Sequence, residues 1–469
     1  MTEARDQARF LTGSLTRHII TMSLTSAIGF VALFAVDLVD MLFISMLGIN
    51  ELAAAVGFAG AILFMTTSIS IGMGIAAGAL VAKSLGESKP ERATELLTHV
   101  LVVGVAFAVV FAGAIYANLD RLTGWVGATG TTQTLAVSYL KILIPTMPVL
   151  LVGIVGSATL RSHGAARLAM IVTLTAGVVN AILDPIFIFG LDMGLDGAAL
   201  ASVMSRIAMA VTAVWYISRR YGGFTGVSLA AIARDLRPIA AIAVPAMLAN
   251  VAAPIGAAYV TSAAAQFGEA AVAGMAIVGR LTPIAFALIF AMSGSIGPII
   301  GQNFGAQKHD RVRRAFNRSM VLIVAYVIPV VIVLYVLRGP IADLFNAQGI
   351  ARDLIYLFCG PLSLAWIFNG IIFVGNAAYN NLGHPFYSTW VNWGRNTLGV
   401  IPFVYVGAQF YGAQGVLVGQ MAGGSVVAII SLILAQRLLK QAENGAISEA
   451  NPPAFETHNR PFRILHHRR

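Results

Sequence analysis

Residues 81–92 read VAKSLGESKPER, and residues 300–311 read IGQNFGAQKHDR. A shift of 219 residues lays the first stretch on the second and pairs Gly86 with Gly305, Lys89 with Lys308 and Arg92 with Arg311. The same shift pairs Gly78 with Gly297, Gly156 with Gly375 and Gly164 with Gly383. Self-similarity at one fixed period is typical of a duplicated structural unit. The sequence therefore predicts two copies of one unit in tandem.

The sequence around these two stretches is apolar enough to lie in a membrane. Hydrophobic residues make up 58% of the chain and charged residues 11%, with a mean hydropathy of +0.82. A soluble domain carries about 25% charged residues. Runs long enough to cross about 30 Å of hydrocarbon as helices recur along the chain, without the alternation of a closed barrel. We predict spans at 17–46, 52–82, 93–117, 132–160, 168–190 and 198–217, repeated at 238–266, 270–302, 312–336, 354–378, 385–410 and 415–439.

This pattern predicts an all-α polytopic membrane protein, with twelve transmembrane helices in two parallel-repeat six-helix bundles around a central cavity. Lysines and arginines gather at the termini and after the even-numbered spans, and the opposite side carries only Arg121, Arg338 and Arg352. By the positive-inside rule, both termini are expected to be cytoplasmic. The predicted division is an N-terminus at 1–16, an N-lobe at 17–218, a cytoplasmic linker at 219–237, a C-lobe at 238–440 and a disordered cytoplasmic tail at 441–469.

Several function classes lack their sequence signals. Cys359 is the single cysteine, so neither a disulfide within the chain nor a thiolate metal cluster can form. The chain has no GxxxxGK[ST] loop for ATP and no HExxH metal motif. The net charge of +10 is explained by the basic loops rather than by a nucleic-acid partner. We predict a non-enzymatic protein without cofactor that draws its energy from an ion gradient.

Three carboxylates fall inside predicted spans and away from helix ends, namely Asp37 and Asp40 in the first and Asp184 in the fifth. An ionised carboxylate in the bilayer costs several kcal/mol unless it is paired or hydrated, so each is a candidate functional residue. Asp37 and Asp40 are three residues apart on one helix face, and Asn180 is four residues from Asp184. We predict that Asp40, Asp184, Asn180 and Asp37 form an ion-coupling site.

Structural interpretations of the same residues stay open. Pro185 removes a helical hydrogen bond, so the carboxylate of Asp184 could serve only the backbone of a kink. Asp37 could be a hydrated residue in a cavity wall. Basic residues near the spans are expected to snorkel or to bind helix-end carbonyls more often than carboxylates: Lys141, Arg206, Arg280 and Arg395. Weaker candidates for the wall of a substrate cavity are Ser157, Asn369 and Asn376.

Five motifs, taken in order, resemble those of the multidrug and toxic compound extrusion (MATE) family. LVDMLFISMLG at 38–48 resembles the first-helix signature V-D-x-x-x-x-x-x-L-G of that family. NAILDPIFIFG at 180–190 looks like its N-x-x-x-D-P segment, and GQNFGA at 301–306 like its G-Q-N-x-G-A. TLRSHG at 159–164 and NNLGHP at 380–385 match its paired loops after the fourth and tenth helices. The resemblance covers residues 15–440.

The resemblance implies a V-shaped pair of lobes, alternating access, and export of cationic or amphipathic compounds against proton or sodium entry. It places the coupling aspartate of the family on Asp40, and the fifth-helix pair on Asn180 and Asp184. No predicted span of the second half contains an acid, which favours the DinF-like branch over NorM-like members. The chain departs from the family at Thr25, where a proline is common, and at Asp37 and Ser157, where asparagine is frequent.

We expect a secondary active multidrug exporter in which antiport is driven by protons rather than sodium. The alternative ion is sodium, bound at Asp40, Asn180 and Asp184. Drugs or toxins and the lipid bilayer are the expected partners, and a monomer in the bacterial inner membrane the expected state. A lipid-linked oligosaccharide or lipid flippase of the same superfamily is the alternative function. A third possible function is a receptor or scaffold without transport activity, in which the aspartates affect stability alone.

Overall fold

The computed structural model describes residues 8–47 and 50–445, and that part of the chain is helical without strands. The helices of the first half are α1 (Leu15–Met46), α2 (Asn50–Gly86), α3 (Pro90–Tyr116), α4 (Leu119–Trp125), α5 (Gly130–Leu143), α6 (Met147–Ser162), α7 (Ala166–Pro185) and α8 (Gly194–Arg220). The helices of the second half are α9 (Leu229–Ala265), α10 (Glu269–Ala285), α11 (Ala287–Gly305), α12 (His309–Leu344), α13 (Gly349–Cys359), α14 (Trp366–Asn381), α15 (Phe386–Asn396) and α16 (Ile401–Glu443).

The described residues contain ten helical segments long and apolar enough to cross a membrane, and an eleventh if α10 and α11, bent by 49°, form one span. The last segment, Phe386–Glu443, has 58 residues and is too long for one crossing. It folds back at Tyr411 and Gly412, where the backbone leaves helical geometry and Gly412 adopts a φ of 58°. Gly407 and Gly415 then lie against each other on opposite arms. The predicted all-α polytopic fold is confirmed, with the crossings in this part of the chain matching the twelve predicted spans.

Matching interruptions occur at matching places in the two halves. A 3₁₀ turn at Ile144–Thr146 joins α5 to α6, and another at Pro361–Ala365 lies between α13 and α14. Both turns contain a proline, which lacks the N–H that would continue an α-helix. The fourth and tenth predicted spans are therefore each built from two helical pieces. Hydropathy alone gave single uninterrupted spans here.

The two halves meet where the C-terminal ends of α2 and α11 cross. A Cβ added to Gly86 would overlap the carbonyl of Gln302, and one added to Gly305 would overlap the carbonyl of Lys83. These two contacts are equivalent under the 219-residue shift, so the crossing is reciprocal. Only glycine fits such a close approach of two backbones. We call this end of the bundle, with the loops 87–89 and 306–308, the basic end.

The buried cores follow the halves except at their first helices and at Phe10 and Ala166, which join the core of the second half. One cluster joins buried residues of the second half to Leu15, Ile19 and Met22 from the start of α1. The other joins buried residues of the first half to Ile239 and Ala243 from the start of α9. Each half thus packs the entry of its first helix into the core of the other. The lobe limits at 17–218 and 238–440 stay a proposal.

Helix α9 begins at Leu229, inside the predicted 219–237 linker. Pro238 lies within this helix rather than before it. The charged residues near its start do not end the helix because the first half supplies partners for them, as described below. At the other end of the chain α16 runs to Glu443. The predicted tail beyond Gly445 and the first residues of the predicted N-terminus lie outside the described part.

A buried ionic network joins α9 to α3 at the basic end. Asp235 is 1% exposed and accepts hydrogen bonds from Arg92 Nη1 at 2.7 Å and Arg92 Nη2 at 2.5 Å. His99 Nδ1, also on α3, lies 2.6 Å from Asp235 Oδ2. Arg234 and Glu95 extend the network, with Arg234 Nη2 donating to Glu95 Oε1 at 2.7 Å. These bonds offset the cost of burying the Asp235 carboxylate.

The equivalent positions of the second repeat also join the halves, but with neutral acceptors in place of an acid. Arg311, the repeat equivalent of Arg92, donates from Nη2 to the carbonyl of Phe10 at 2.8 Å. Arg318, the equivalent of His99, donates to Thr16 Oγ1 at 2.7 Å, and Thr16 is the equivalent of Asp235. The halves are therefore joined twice at the basic end, by the salt bridges of Asp235 and by the bonds of Arg311 and Arg318 to neutral acceptors.

Candidate functional site

The candidate ion site lies where α1 packs against α7. Val36 and Asp40 are four residues apart on one face of α1, and Gly177, Asn180 and Asp184 share one face of α7. A Cβ on Gly177 would come within 3.3 Å of Val36 Cγ2, so the glycine lets the two helices approach. The helix periodicity therefore directs both polar faces into the same contact.

Unpartnered polar atoms converge at this contact. Asp184 is 1% exposed and Asn180 is 8% exposed, and Asp40 is half-buried. Both carboxylate oxygens of Asp184, Oδ1 of Asp40 and Nδ2 of Asn180 are buried without a hydrogen-bond partner among the described residues. The carboxyl groups of Asp40 and Asp184 are close enough to hydrogen-bond each other when one of them carries a proton. Buried polar groups are rarely left unpaired, so these atoms have hydrogen-bonding capacity that the described residues do not use.

The kink interpretation of Asp184 does not account for this geometry. Pro185 ends α7, and one π-helical turn, Ile186–Gly190, follows it. Such turns are frequent at functional sites. Asp184 accepts no backbone hydrogen bond from the described residues, so its carboxylate does not serve to satisfy the kink. The Asp37 side chain is not among those that the structure describes, so its role stays a prediction.

Sequence reasoning missed one neighbour of this pair. Tyr139 of α5 is 8% exposed and lies within electrostatic range of Asp40 and Asp184. A tyrosine in an apolar span carries no distinctive sequence signal. Its phenol hydrogen-bonds Ser202 and interacts with the two aspartates only through longer-range electrostatics.

The basic residues of the spans divide into three cases. Arg206 donates from Nη1 to the Leu143 carbonyl at 2.9 Å and to Thr146 Oγ1 at 2.7 Å, which agrees with the expected pairing to a helix-end carbonyl. Lys141 and Arg280 are exposed on the surface of the bundle. Arg395 is half-buried, and its partner is an amide.

Two of the three weaker cavity candidates lie beside interior arginines. Ser157 accepts a hydrogen bond from Arg161 Nη1 at 2.9 Å, and the guanidinium of Arg161 reaches Gly294 on α11. Asn369 accepts one from Arg395 Nη1 at 2.6 Å. Asn376 is half-buried, and its Oδ1 is without a partner among the described residues. Placement in a substrate cavity stays a prediction for all three.

One group of side chains has the spacing of a metal site. Glu95, His99 and Asp235 offer ligand atoms within 4.8 Å of one another. However, Arg92 and Arg234 donate to the carboxylates of this group, and their positive charges oppose a bound cation. The group is better described as an ion-pair network than as a metal centre.

Comparison with known proteins gives one consistent result. The sequence model described as MatE matches residues 25–186 and 245–406, two ranges that start 220 residues apart. The FAD transporter of Shewanella oneidensis is 28% identical over 447 residues, covering 92% of this chain and 97% of that protein. The multidrug export protein MepA of Staphylococcus aureus is 22% identical over 414 residues, covering 88% of this chain and 91% of that protein.

A solved structure agrees in fold. The crystal structure of a mutant of the Vibrio cholerae MATE transporter VcmN matches with a TM-score of 0.87 and 26% identity, covering 91% of this chain and 97% of that one. Members of this family are multi-pass membrane transporters rather than enzymes, and they need no cofactor. The family model matches more than half of the chain, once in each repeat. The chain therefore belongs to the MatE family, the multidrug and toxic compound extrusion transporters.

Proposed function

We propose that this transporter exports small organic solutes in exchange for a cation that binds between Asp40, Asp184 and Asn180. The observation that carries the proposal is the convergence of four unpartnered polar atoms where α1 packs on α7. Two carboxylates at this spacing repel each other in an apolar surrounding. A bound cation removes the repulsion, and its departure restores it.

This change in charge can move helices. With the cation bound, α1 and α7 pack closely through Gly177 and Val36. Without it, the two carboxylates favour separation of the helices or entry of water. Alternating access follows if the bound and free forms favour different openings of the central cavity, because a ligand shifts an equilibrium by its differential affinity for the two states.

A proton fits the site better than sodium. Asp40 and Asp184 are close enough to share one proton in a direct hydrogen bond, with no additional ligand. A sodium ion needs several oxygen ligands, and among the described residues this contact offers the oxygens of two carboxylates and one amide. Proton antiport is therefore the proposed mechanism.

The closed basic end supports an outward-facing state. The reciprocal crossing at Gly86 and Gly305 and the hydrogen bonds of Asp235 and Arg311 all join the halves there. With the basic end placed in the cytoplasm of a bacterial cell, both described termini lie on the cytoplasmic side of the inner membrane. The central cavity then opens to the exterior, where protons enter and solute leaves. The proposed transporting unit is a monomer.

The relatives point to two classes of solute. MepA is named as a multidrug export protein, which supports cationic or amphipathic drugs and toxins. The Shewanella relative is named as a FAD transporter, which supports a flavin nucleotide as a second candidate. Arg395, an interior cation that lacks a carboxylate among the described residues, favours this second candidate. Both names favour soluble organic solutes over lipid-linked oligosaccharides.

Transport in proteoliposomes tests the coupling site. With ethidium as the solute and an imposed pH gradient as the driving force, Asp40→Asn and Asp184→Asn are expected to reduce gradient-driven transport to the rate of empty vesicles. Asp353→Asn makes the same chemical change at an exposed acid of α13 and is expected to transport at the wild-type rate. Gradient-driven transport that persists in both interior variants would disprove the proposed site.

A further inference from the structure

One face of α14 combines aromatic and amide side chains. Trp366, Asn369, Phe373 and Asn376 follow one another at intervals of three, four and three residues, so they lie along the same side of the helix. Trp366 is 7% exposed, and its Nε1 is a buried donor without a partner in the described part of the chain. Oδ1 of Asn376 is a buried acceptor, and it too has no partner in the described part of the chain. This face therefore has hydrogen-bonding capacity that the described residues do not use.

Arg395 of α15 reaches this face. Its Nη1 donates to Asn369 Oδ1 at 2.6 Å, and its guanidinium carbon lies 5.8 Å from the ring centre of Phe373. One amide acceptor satisfies only one of the five N–H donors of an arginine. The guanidinium therefore keeps donors for a further acceptor.

Aromatic rings continue from this face to the other half of the protein. Phe290 of α11 lies 5.4 Å from Phe373 and 5.5 Å from Trp366, measured between ring centres. Phe34 of α1 lies 6.3 Å from Phe290. The set of rings thus spans from Arg395 to the contact between the halves. Phe286 stacks on one face of Trp366, with 4.7 Å between ring centres. A planar ring that enters between the halves would therefore stack on the half-buried Phe290 and Phe373.

The charge of Arg395 is not neutralised within the described structure. The acids described in the second half lie at or near helix ends: Asp235, Glu269, Asp310, Asp343, Asp353 and Glu443. No ion pair joins any of the described acids to Arg395, whereas Arg352 pairs with Asp343 at 3.1 Å. An arginine within a membrane span is costly, and such residues usually mark a solute pathway or have an ionic partner.

We propose that Arg395, Asn369, Trp366, Phe373 and Phe290 form a subsite for a planar aromatic solute that carries phosphate. The guanidinium fork matches phosphate oxygens in a bidentate manner, and the rings stack on the aromatic part of the solute. This subsite rests on the proposed export function and gives its solute a chemical class. It assigns ion coupling to the first half and recognition of an anionic solute to the second.

Flavin binding to the purified full-length protein in detergent tests the subsite. The probe is FAD, with riboflavin as the ring without phosphate and inorganic pyrophosphate as the phosphate without a ring. FAD is expected to bind about tenfold or more tightly than either of the other two. Riboflavin or pyrophosphate binding as tightly as FAD would overturn the proposed combination of ring and phosphate.

Two variants assign the binding to Arg395. Arg395→Gln is expected to weaken FAD binding about tenfold to a hundredfold and to leave the affinity for riboflavin within about twofold of wild type. Asn369→Asp places a carboxylate beside the guanidinium and is expected to weaken FAD binding by a similar factor. Because the new carboxylate pairs with Arg395, this variant should keep the fold intact. Arg280→Gln removes an exposed arginine of α10 and is expected to leave FAD affinity unchanged. Wild-type FAD affinity in both Arg395→Gln and Asn369→Asp would overturn the assignment.

The binding assay needs no ion gradient, so its result is independent of the coupling proposal. Flavin binding without gradient-driven transport would count against coupling at Asp40 and Asp184 and would support the subsite. Gradient-driven transport of ethidium without specific FAD binding would overturn the subsite and would leave the coupling site standing.

Discussion

Replacing Asp235 should destabilise the protein more than replacing any exposed acid. In Asp235→Asn the carboxylate that joins α9 to α3 becomes a neutral amide of the same shape. Arg92 donates to both carboxylate oxygens, at 2.7 and 2.5 Å, and loses at least one of these bonds because the amide has a single acceptor oxygen. Any bond that Arg92 or His99, 2.6 Å from Oδ2, retains is no longer to a charged acceptor. Because Asp235 and His99 are each 1% exposed, water cannot readily replace what is lost.

The magnitude follows from burial. Breaking a fully buried ion pair by removing one partner costs about 3–5 kcal/mol. Arg92 is 30% exposed at its side chain and retains Glu95 at 2.6 Å, so part of that cost is recovered. We expect a loss of about 2–3 kcal/mol, which lowers the melting temperature by about 2–3 °C in a chain of this size.

Thermal unfolding in detergent, followed by tryptophan fluorescence, measures this effect. Glu87→Gln is the matched control, because the partners of Glu87, Lys83 and Lys89, are 36% and 63% exposed and such pairs contribute about 0–1 kcal/mol. Its melting temperature should stay within about 1 °C of wild type. The reasoning is refuted if Asp235→Asn and Glu87→Gln melt at the same temperature.

Two glycine substitutions test the close helix contacts in the same assay. Gly86→Val should cost about 1–3 kcal/mol because its side chain meets the backbone of α11. Gly113→Val, which meets nothing within 4 Å, should stay near wild type, and equal melting would contradict the described crossing. Gly423→Val should destabilise the α16 hairpin by a similar amount, because its side chain meets the facing backbone. The adjacent Gly424→Val meets only one side-chain atom, at 3.9 Å, and equal effects of the two would argue against the hairpin.

The repeat and the membrane class could be predicted because both leave local signals. Long apolar spans give the class, and Gly86 and Gly305 keep their register because both sit at one reciprocal backbone crossing. Span limits were less accurate wherever helices bend. Pro238 lies inside α9, whereas Pro145 and Pro361 lie in 3₁₀ turns, so a proline does not by itself tell whether a helix continues.

The candidate ion site was only partly predictable. Asp40 and Asp184 could be identified because an acid in an apolar span is rare, and Asn180 because it shares a helix face with Asp184. Their mutual approach depends on the packing of α1 on α7, which no pattern along the chain records. Tyr139 was missed because tyrosine is unremarkable in an apolar span.

The burial of Asp235 was also beyond the sequence. It falls in the predicted 219–237 linker, and the structure buries it because α3 brings Arg92 and His99 to it. The polar face of α14 had a usable signal, since Trp366, Asn369, Phe373 and Asn376 follow the helical period. That spacing indicates a solute subsite only when Arg395 is known to lie beside this face of α14.

The most direct test of the account is whether solute movement drives proton movement. In proteoliposomes with no imposed pH gradient, an imposed ethidium gradient should drive protons in the opposite direction, recorded by a pH-sensitive dye sealed inside the vesicles. The account predicts this countercurrent for the wild type and its absence in Asp184→Asn. Ethidium that equilibrates through the wild type without any movement of protons would contradict proton coupling between Asp40 and Asp184.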